Sequence, residues 1–140
     1  MSNRRQLVGC AAALIAFAGL TGLASAQSSQ ETEWCGGRDS TSPSRKASPD
    51  QMISGCTAEI QSGKRKGAVL SAAFTNRGSG YANKGDYGRA IQDYDQAIKL
   101  DPKNAHALFN RGVAKIKKGD KIGGEADQAA ARRIDPNMGR

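Results

Sequence analysis

Cysteine and histidine, two side chains that often act as nucleophiles or zinc ligands, are rare in this chain. Its 140 residues include three cysteines and one histidine. The segment Trp34-Cys35-Gly36-Gly37 lacks the second cysteine of a Cys-x-x-Cys redox pair, and no ligand or nucleophile accompanies His106 in the sequence. Nothing resembles a phosphate-binding loop, a Ser-His-Asp order or a pair of catalytic acids. We therefore expect a protein that is not an enzyme and that uses no metal or cofactor.

The first 26 residues predict a secretory signal peptide. Two arginines at positions 4 and 5 precede an uncharged apolar run over 7–20, and Ala24-Ser25-Ala26 has the small-residue pattern of a cleavage site. We expect cleavage between Ala26 and Gln27 and export to the periplasm or the medium. The arginine pair leaves twin-arginine export open beside ordinary Sec export. An uncleaved anchor is the alternative, although the run is shorter than the ~20 residues of a spanning helix.

Cys35 and Cys56 are the two cysteines that would survive this cleavage. In an oxidising compartment an isolated even pair favours a disulfide over a metal site or a nucleophile. Such a bridge would stabilise the chain by roughly 3 kcal/mol if it acts through chain entropy. It would tie the leader, residues 27–47, to the first helix. The leader is rich in Ser, Thr, Gly and Arg without apolar periodicity, so we predict that it is loop-like or disordered.

The chain repeats itself after 34 residues, because the block 71–102 recurs as 105–136. Eleven of the 32 aligned positions are identical, among them Asn76/Asn110, Arg77/Arg111 and Asp93/Asp127. A fixed period in the range of 20 to 50 residues is typical of stacked supersecondary units. We expect the recurring arginines and aspartates to form one structural salt bridge in each unit, in preference to an anion site.

Caps and apolar periodicity divide the folded part into five helices and no strand. Ser48-Pro49-Asp50-Gln51 has the pattern of a capping box, and it opens an amphipathic helix within residues 48–63. Further helices are predicted at 67–84, 87–100, 104–118 and 122–134, with Gly-Asp turns inside each hairpin and Asp-Pro pairs at its end. The expected fold class is all-α, a short α-solenoid of antiparallel helix pairs.

Residues 67–136 resemble the tetratricopeptide repeat family, with units at about 71–104 and 105–138 and the helix of 48–63 as a remnant of a degenerate unit. The resemblance implies that small and aromatic residues pack each hairpin: Phe74, Gly78, Tyr81, Ala90, Tyr94, Ala97 and Pro102, then Leu108, Gly112, Ala131 and Pro136. Arg77 stands where the family usually has leucine. Lys115 and Gln128 replace aromatics in the second unit, as expected of a terminal repeat whose outer face meets water.

The resemblance also implies a partner-binding groove lined by the first helix of each unit. Its positions here are Ala72, Thr75, Asn76, Ser79 and Asn83, then His106, Phe109, Asn110, Val113 and Lys117. Asn76 and Asn110 match an asparagine with which some members of the family hold a peptide backbone or a terminal carboxylate, while the other residues of such a clamp are missing. Local hydrogen bonding within the fold is the alternative role for both asparagines.

Function is therefore expected in binding, by a non-catalytic adaptor that takes a peptide or protein segment into its groove. The formal charge of +8 becomes +6 when residues 1–26 and their two arginines are removed. This charge suggests weak electrostatic contact with an anionic envelope surface, and two repeats leave open ends through which copies could associate. The alternative function is a self-associating structural protein attached to anionic envelope material. Nucleic acid is not expected as a partner.

Overall fold

The computed structural model describes residues 33–37 and 46–140. The predicted signal peptide, its cleavage site and most of the leader lie outside these residues. Five helices follow one another: α1 (Pro49–Gln61), α2 (Gly67–Asn83), α3 (Tyr87–Leu100), α4 (Ala105–Lys117) and α5 (Lys121–Ile134). A single helical turn at 33–35 precedes them, and the described residues contain no strand element. The predicted all-α fold is confirmed, and the bounds of the helices agree with the predicted ones to within one residue.

Four of the five helices, all except α2, begin at a side chain that accepts a hydrogen bond from a free backbone N–H group. Ser48 and Gln51 form the predicted capping box, with the Gln51 amide donating to Ser48 Oγ and the Ser48 amide donating to Gln51 Oε1. Asp86 caps α3 and Asp120 caps α5 in the same way, each accepting from the backbone three residues on. The glycines at 85 and 119 have φ of 80° and 97°, a region that favours glycine, so the chain can reverse within three residues.

Neighbouring helices pack in chain order, and the connections of three to five residues make them antiparallel. Each helix contacts the next, and α2 also touches α4, so the first helices of the two units lie side by side as in a solenoid. Ala90 and Tyr94 of α3 meet Ala114 of α4 in one buried cluster. A second cluster joins Cys35 and Cys56 to Ala73 of α2. The first unit is thus packed on both sides.

Residues predicted to pack the repeats are mostly inside the protein. Gly78, Ala90, Tyr94, Ala97, Leu108, Gly112 and Ala131 are buried, while Phe74 and Tyr81 are half-buried. Pro102 and Pro136 are exposed and follow the ends of α3 and α5. These two prolines contribute by stopping helices and not by filling the core.

The two hairpins close in different ways. In the first, the ring of Tyr94 lies against Gly78, where an added Cβ would come within 2.7 Å of it. In the second, glycines stand on both helices, and a Cβ on Gly124 would lie 2.5 Å from the carbonyl oxygen of Gly112 and from Ile116 Cγ1. A backbone crossing this close replaces the aromatic packing that the second unit lacks.

Cys35 and Cys56 lie side by side with Cα atoms 4.5 Å apart, within the range that a disulfide requires. Both side chains are buried, at 2% and 0% exposure. The amide of Ala47 also donates to the carbonyl of Gly37, at 3.2 Å, so residues 33–37 are held against the start of α1. Formation of the bond in the cell stays a prediction.

None of the described helices combines the length and the apolar character needed to cross a bilayer.

We predict that Gly124→Ala destabilises the protein, although alanine is normally the better helix former by roughly 1 kcal/mol. The new methyl group would overlap the backbone of α4, and overpacking of this kind costs about 1–3 kcal/mol. Gly88→Ala is the matched control, since a Cβ there meets only ordinary contacts at 3.7 and 3.8 Å. Urea denaturation should show a lower free energy of unfolding for the first variant and no loss for the second. A Gly124→Ala protein as stable as its parent would contradict the close crossing.

We predict that Cys35 and Cys56 are joined by a disulfide in the protein purified from its own cells. Alkylation of the denatured protein followed by peptide mapping should leave both residues unmodified until a reductant is added. Reduction should then lower the free energy of unfolding by about 3 kcal/mol. The stability of a Cys35→Ser, Cys56→Ser double variant should not respond to reductant, which makes it the control. Alkylation of both cysteines before reduction would show that the bond is absent.

Candidate functional site

The candidate site is the face on which α2 and α4 lie side by side. Asn104, at the start of α4, sets their spacing: its Oδ1 caps the helix by accepting from the Ala107 amide at 3.0 Å. Its Nδ2 donates to Ser71 Oγ at 2.9 Å and to Thr75 Oγ1 at 3.0 Å, both on α2. Ser71 Oγ in turn donates to the carbonyl of Ala97 on α3, at 2.8 Å. One asparagine therefore links three helices.

This network removes Thr75 from the groove. Thr75 is 5% exposed, and its hydroxyl donates to the Ser71 carbonyl at 2.9 Å while accepting from Asn104. A side chain with both hydrogen-bonding roles filled inside the protein offers nothing to a partner. Sequence reasoning had not singled out Asn104 or Ser71. The signal for Asn104 was its residue type, because asparagine directly before a helical pattern is a preferred N-cap.

A cavity of about 170 Å³ opens between α2, α3 and α4. Four of the predicted groove residues meet there, and the lining consists of Ser79, Ala82 and Asn83 from α2, Tyr87 and Tyr94 from α3, and Asn110, Val113 and Ala114 from α4. The lining thus combines small apolar side chains with neutral polar groups and contains no charged residue.

The polar groups of this cavity form a short chain of hydrogen bonds. Ser79 Oγ donates to the Thr75 carbonyl at 3.0 Å and lies 3.3 Å from the Tyr94 hydroxyl. Asn110 Nδ2 donates to Ser79 Oγ over a long 3.4 Å. Burial raises the pKa of the Tyr94 hydroxyl, so the floor of the cavity stays uncharged. Because the Asn110 contact is long, a better acceptor could replace it at little cost.

Asn76, the equivalent of Asn110 in the first unit, already binds a piece of the chain. Its Nδ2 donates to the backbone carbonyl of Cys35 at 2.9 Å. Residues 33–37 therefore lie against α2, where Cys35 packs with Cys56 and Ala73 in a buried cluster. Here the asparagine holds a backbone carbonyl, and the acceptor belongs to the chain itself.

The other predicted groove residues lie away from the cavity. His106 and Lys117 are exposed on α4. Phe109 is half-buried, with the Arg132 guanidinium 5.9 Å from its ring centre and with Gly139 packed so closely that an added Cβ would lie 2.6 Å from the ring. Arg132 and Gly139 thus cover part of the Phe109 ring.

Each unit contains the salt bridge predicted from the recurring residues. Arg77 binds Asp93 through two bonds of 2.7 and 2.8 Å, and Arg111 binds Asp127 with the same two distances. This structural prediction is confirmed. Arg111 also reaches Asp95 at 2.6 Å. A bidentate arginine fixes the rotation of two helices about each other, because both oxygens of the carboxylate must be met at once.

Lys115 adds a second cation to the pair in the terminal unit. It stands where the family has an aromatic residue, and its Nζ lies 2.9 Å from Asp127 Oδ2. Burial by itself raises the pKa of Asp127, but hydrogen bonds from Arg111 and Lys115 outweigh burial and hold that pKa below its ordinary value. Asp127 is therefore a carboxylate that the fold keeps ionised.

Among residues 33–37 and 46–140, no group of three or more His, Cys, Asp or Glu side chains is arranged to hold a metal ion.

Comparison with known proteins agrees with the repeat architecture. Residues 78–119 match a family model described as TPR repeat. The chain is 32% identical over 82 residues to cellulose synthase operon protein C of Escherichia coli strain K12 and, to the same extent, to the putative protein of that name in strain O157:H7. It is 40% identical over 48 residues to stress-induced-phosphoprotein 1 of Caenorhabditis elegans. These matches cover 57%, 57% and 34% of this chain.

The chain spans only a small part of these relatives, 7% of each Escherichia coli protein and 15% of the Caenorhabditis elegans protein. What they share with it is the repeat. Residues 78–119 of this chain are thus similar to tetratricopeptide repeats, units that generally mediate contacts between proteins and are typically non-catalytic.

We predict that the stability of the protein falls in acid through Asp127. Its pKa is lower in the folded than in the unfolded state, so the folded state binds fewer protons, and the stabilisation is lost as pH falls from about 5 through the folded pKa. Asp127→Asn should flatten the dependence of the unfolding free energy on pH in that range. Equal slopes for the parent and Asp127→Asn would contradict the assignment.

Proposed function

We propose that this chain, whose helical hairpins are similar to tetratricopeptide repeats, is an exported, non-catalytic adaptor. It binds an extended segment of another protein along the groove between α2 and α4. The segment lays its backbone against Asn110 and places one apolar side chain in the cavity that Asn110 borders.

The observation that carries this proposal is the hydrogen bond between Asn76 and the Cys35 carbonyl, at 2.9 Å. Asn76 and Asn110 hold the same position in the two units. The first already binds a backbone carbonyl of a short segment that packs against α2. The second makes only a 3.4 Å contact with Ser79 and borders an open cavity. A backbone carbonyl of a partner can therefore be bound at Asn110 as that of Cys35 is bound at Asn76.

The size of the cavity supports a side chain as its occupant. Pockets for small ligands usually enclose ~300–1,000 Å³, whereas this cavity has about 170 Å³. Ala82, Val113 and Ala114 supply apolar contact, and Val113 is 36% exposed at the rim. Removing the exposed surface of Val113 from water would add to affinity at about 25 cal/mol per Å². A medium-sized apolar side chain fits these features.

The proposal predicts contact between a partner and the mouth of the cavity. A photo-reactive amino acid at Val113, with a matched one at Ile122 on the first turn of α5, can be placed in the full chain and irradiated in the cells that export it. Mass spectrometry of the linked peptides should find one dominant partner at Val113 that is not captured at Ile122.

The captured segment, made as a peptide, then tests the role of the asparagine. Asn110→Ala should weaken its binding at least about tenfold, the usual cost of a lost hydrogen bond to a partly buried group, with an unchanged helical spectrum. Asn137→Ala removes an exposed asparagine and serves as the control. A partner whose affinity ignores the Asn110 change would contradict the groove assignment, and links only between copies of this chain would favour the alternative of self-assembly.

A further inference from the structure

One edge of the solenoid collects every connection between successive hairpins. Because neighbouring helices are antiparallel, the ends of α1, α3 and α5 and the starts of α2 and α4 lie on the same side. We call this side the loop edge and define it as residues 62–69, 99–104 and 132–140. The turns within the hairpins, at 84–86 and 118–120, lie on the opposite edge together with the start of α1.

The loop edge is strongly cationic. Its three segments hold three, two and three Lys or Arg side chains, all exposed, against two acids, Asp101 and Asp135. Arg65 forms an ion pair with Glu59 at 2.7 Å. Within the described part of the chain, the other seven cations of this edge have no acidic partner within 4.0 Å. Their charge is therefore directed to solvent.

The opposite edge has a different character. Residues 48–50, 84–89 and 117–122 carry five cations and three acids. Three of the five cations are engaged in salt bridges there: Lys84 with Asp50, Arg89 with Asp86, and Lys121 with Glu125. The excess positive charge of the described chain is thus concentrated on one edge and is not spread over the whole surface.

Apolar side chains project from the same edge as the free cations. Val69 is 52% exposed near the start of α2, and Leu100 and Ile134, the last residues of α3 and α5, are 37% and 42% exposed. They are three of the five exposed large hydrophobic residues in the described chain. Acidic polymers and nucleic acids would use the cations alone, whereas a bilayer surface has both anionic headgroups and an apolar layer beneath them.

We propose that the loop edge is a docking surface for an anionic lipid bilayer. The cations meet the headgroups, and Val69, Leu100 and Ile134 reach the boundary of the acyl region. This inference does not depend on the adaptor role. It is compatible with it, because the cavity lies at the far ends of α2 and α4: from Val69 to Asn83 is about 21 Å along the helix at 1.5 Å per residue. A chain docked by its loop edge would keep the cavity in water.

Flotation of the full chain with lipid vesicles tests the proposal. Neutral phosphatidylcholine vesicles are compared with vesicles in which roughly one lipid in three is phosphatidylglycerol, since each cation near an anionic surface adds to binding. The loop-edge variant combines Lys64→Gln, Lys66→Gln and Lys103→Gln. The control removes the same charge from the opposite edge through Lys84→Gln, Lys118→Gln and Lys121→Gln. All forms share residues 1–63, so any contribution of the apolar run near the N-terminus is common to them.

Partition of the loop-edge variant to the anionic vesicles should fall at least about tenfold. Partition of the control variant should fall less than about threefold. Partition of the parent should also fall with added salt, because exposed charges are screened. Circular dichroism confirms that both variants remain helical. Equal losses in the two variants on the anionic vesicles would overturn the proposal. Val69→Ser in the parent background should lower partition further, and no change there would remove the apolar part of the contact.

Discussion

Two arginines, one in each repeat, hold neighbouring helices of this solenoid in register. Arg77 of α2 donates two hydrogen bonds to Asp93 of α3 and a third, at 3.4 Å, to Thr57 of α1. Arg111 of α4 donates two hydrogen bonds to Asp127 of α5 and one to Asp95 of α3. Each guanidinium therefore contacts the helix before and the helix after the one that carries it. Such a bond is directional in a way that apolar contact is not, so it sets the rotation of each helix as well as its distance. The family usually has leucine at these two positions, and this chain uses a polar clamp instead.

The salt bridge between Arg111 and Asp127 also explains why the second repeat tolerates a poor apolar core. Glycines at 112 and 124 bring α4 and α5 into backbone contact, and Lys115 adds its charge to Asp127 where a ring would otherwise fill space. A close crossing leaves little room for side chains, so the hairpin needs few of them. The first repeat follows the usual solution, with Tyr94 buried against Gly78. The two hairpins are related by the 34-residue repeat, yet their helices are held together by different packing.

Much of the fold could be predicted from the sequence because the decisive signals are local. Caps at Ser48, Asp86 and Asp120 and the glycines that follow α2 and α4 stop and start helices within a residue of their predicted bounds. The two salt bridges could be predicted because an arginine and an aspartate both recur after 34 residues. The residues that line the groove were harder to predict, because apolar periodicity identifies the buried face of a helix and not its exact rotation among several neighbouring helices. Thr75 turned out to bind Asn104, and Phe109 lies under the C-terminal residues, although both had been placed in the groove. Contacts between distant segments, such as that of Asn76 with Cys35, leave no local signal in a single sequence.

The groove between α2 and α4 is the proposed place where a partner segment is bound. Hydrogen exchange of the full chain, measured with and without the partner segment captured by crosslinking in its own cells, tests this most directly. Protection should rise in residues 79–83 and 110–114, which border the cavity, and remain unchanged in 62–66 and 132–140 at the loop edge. Protection confined to the loop edge or to α5, with the cavity unchanged, would contradict the assignment of the groove as the binding site.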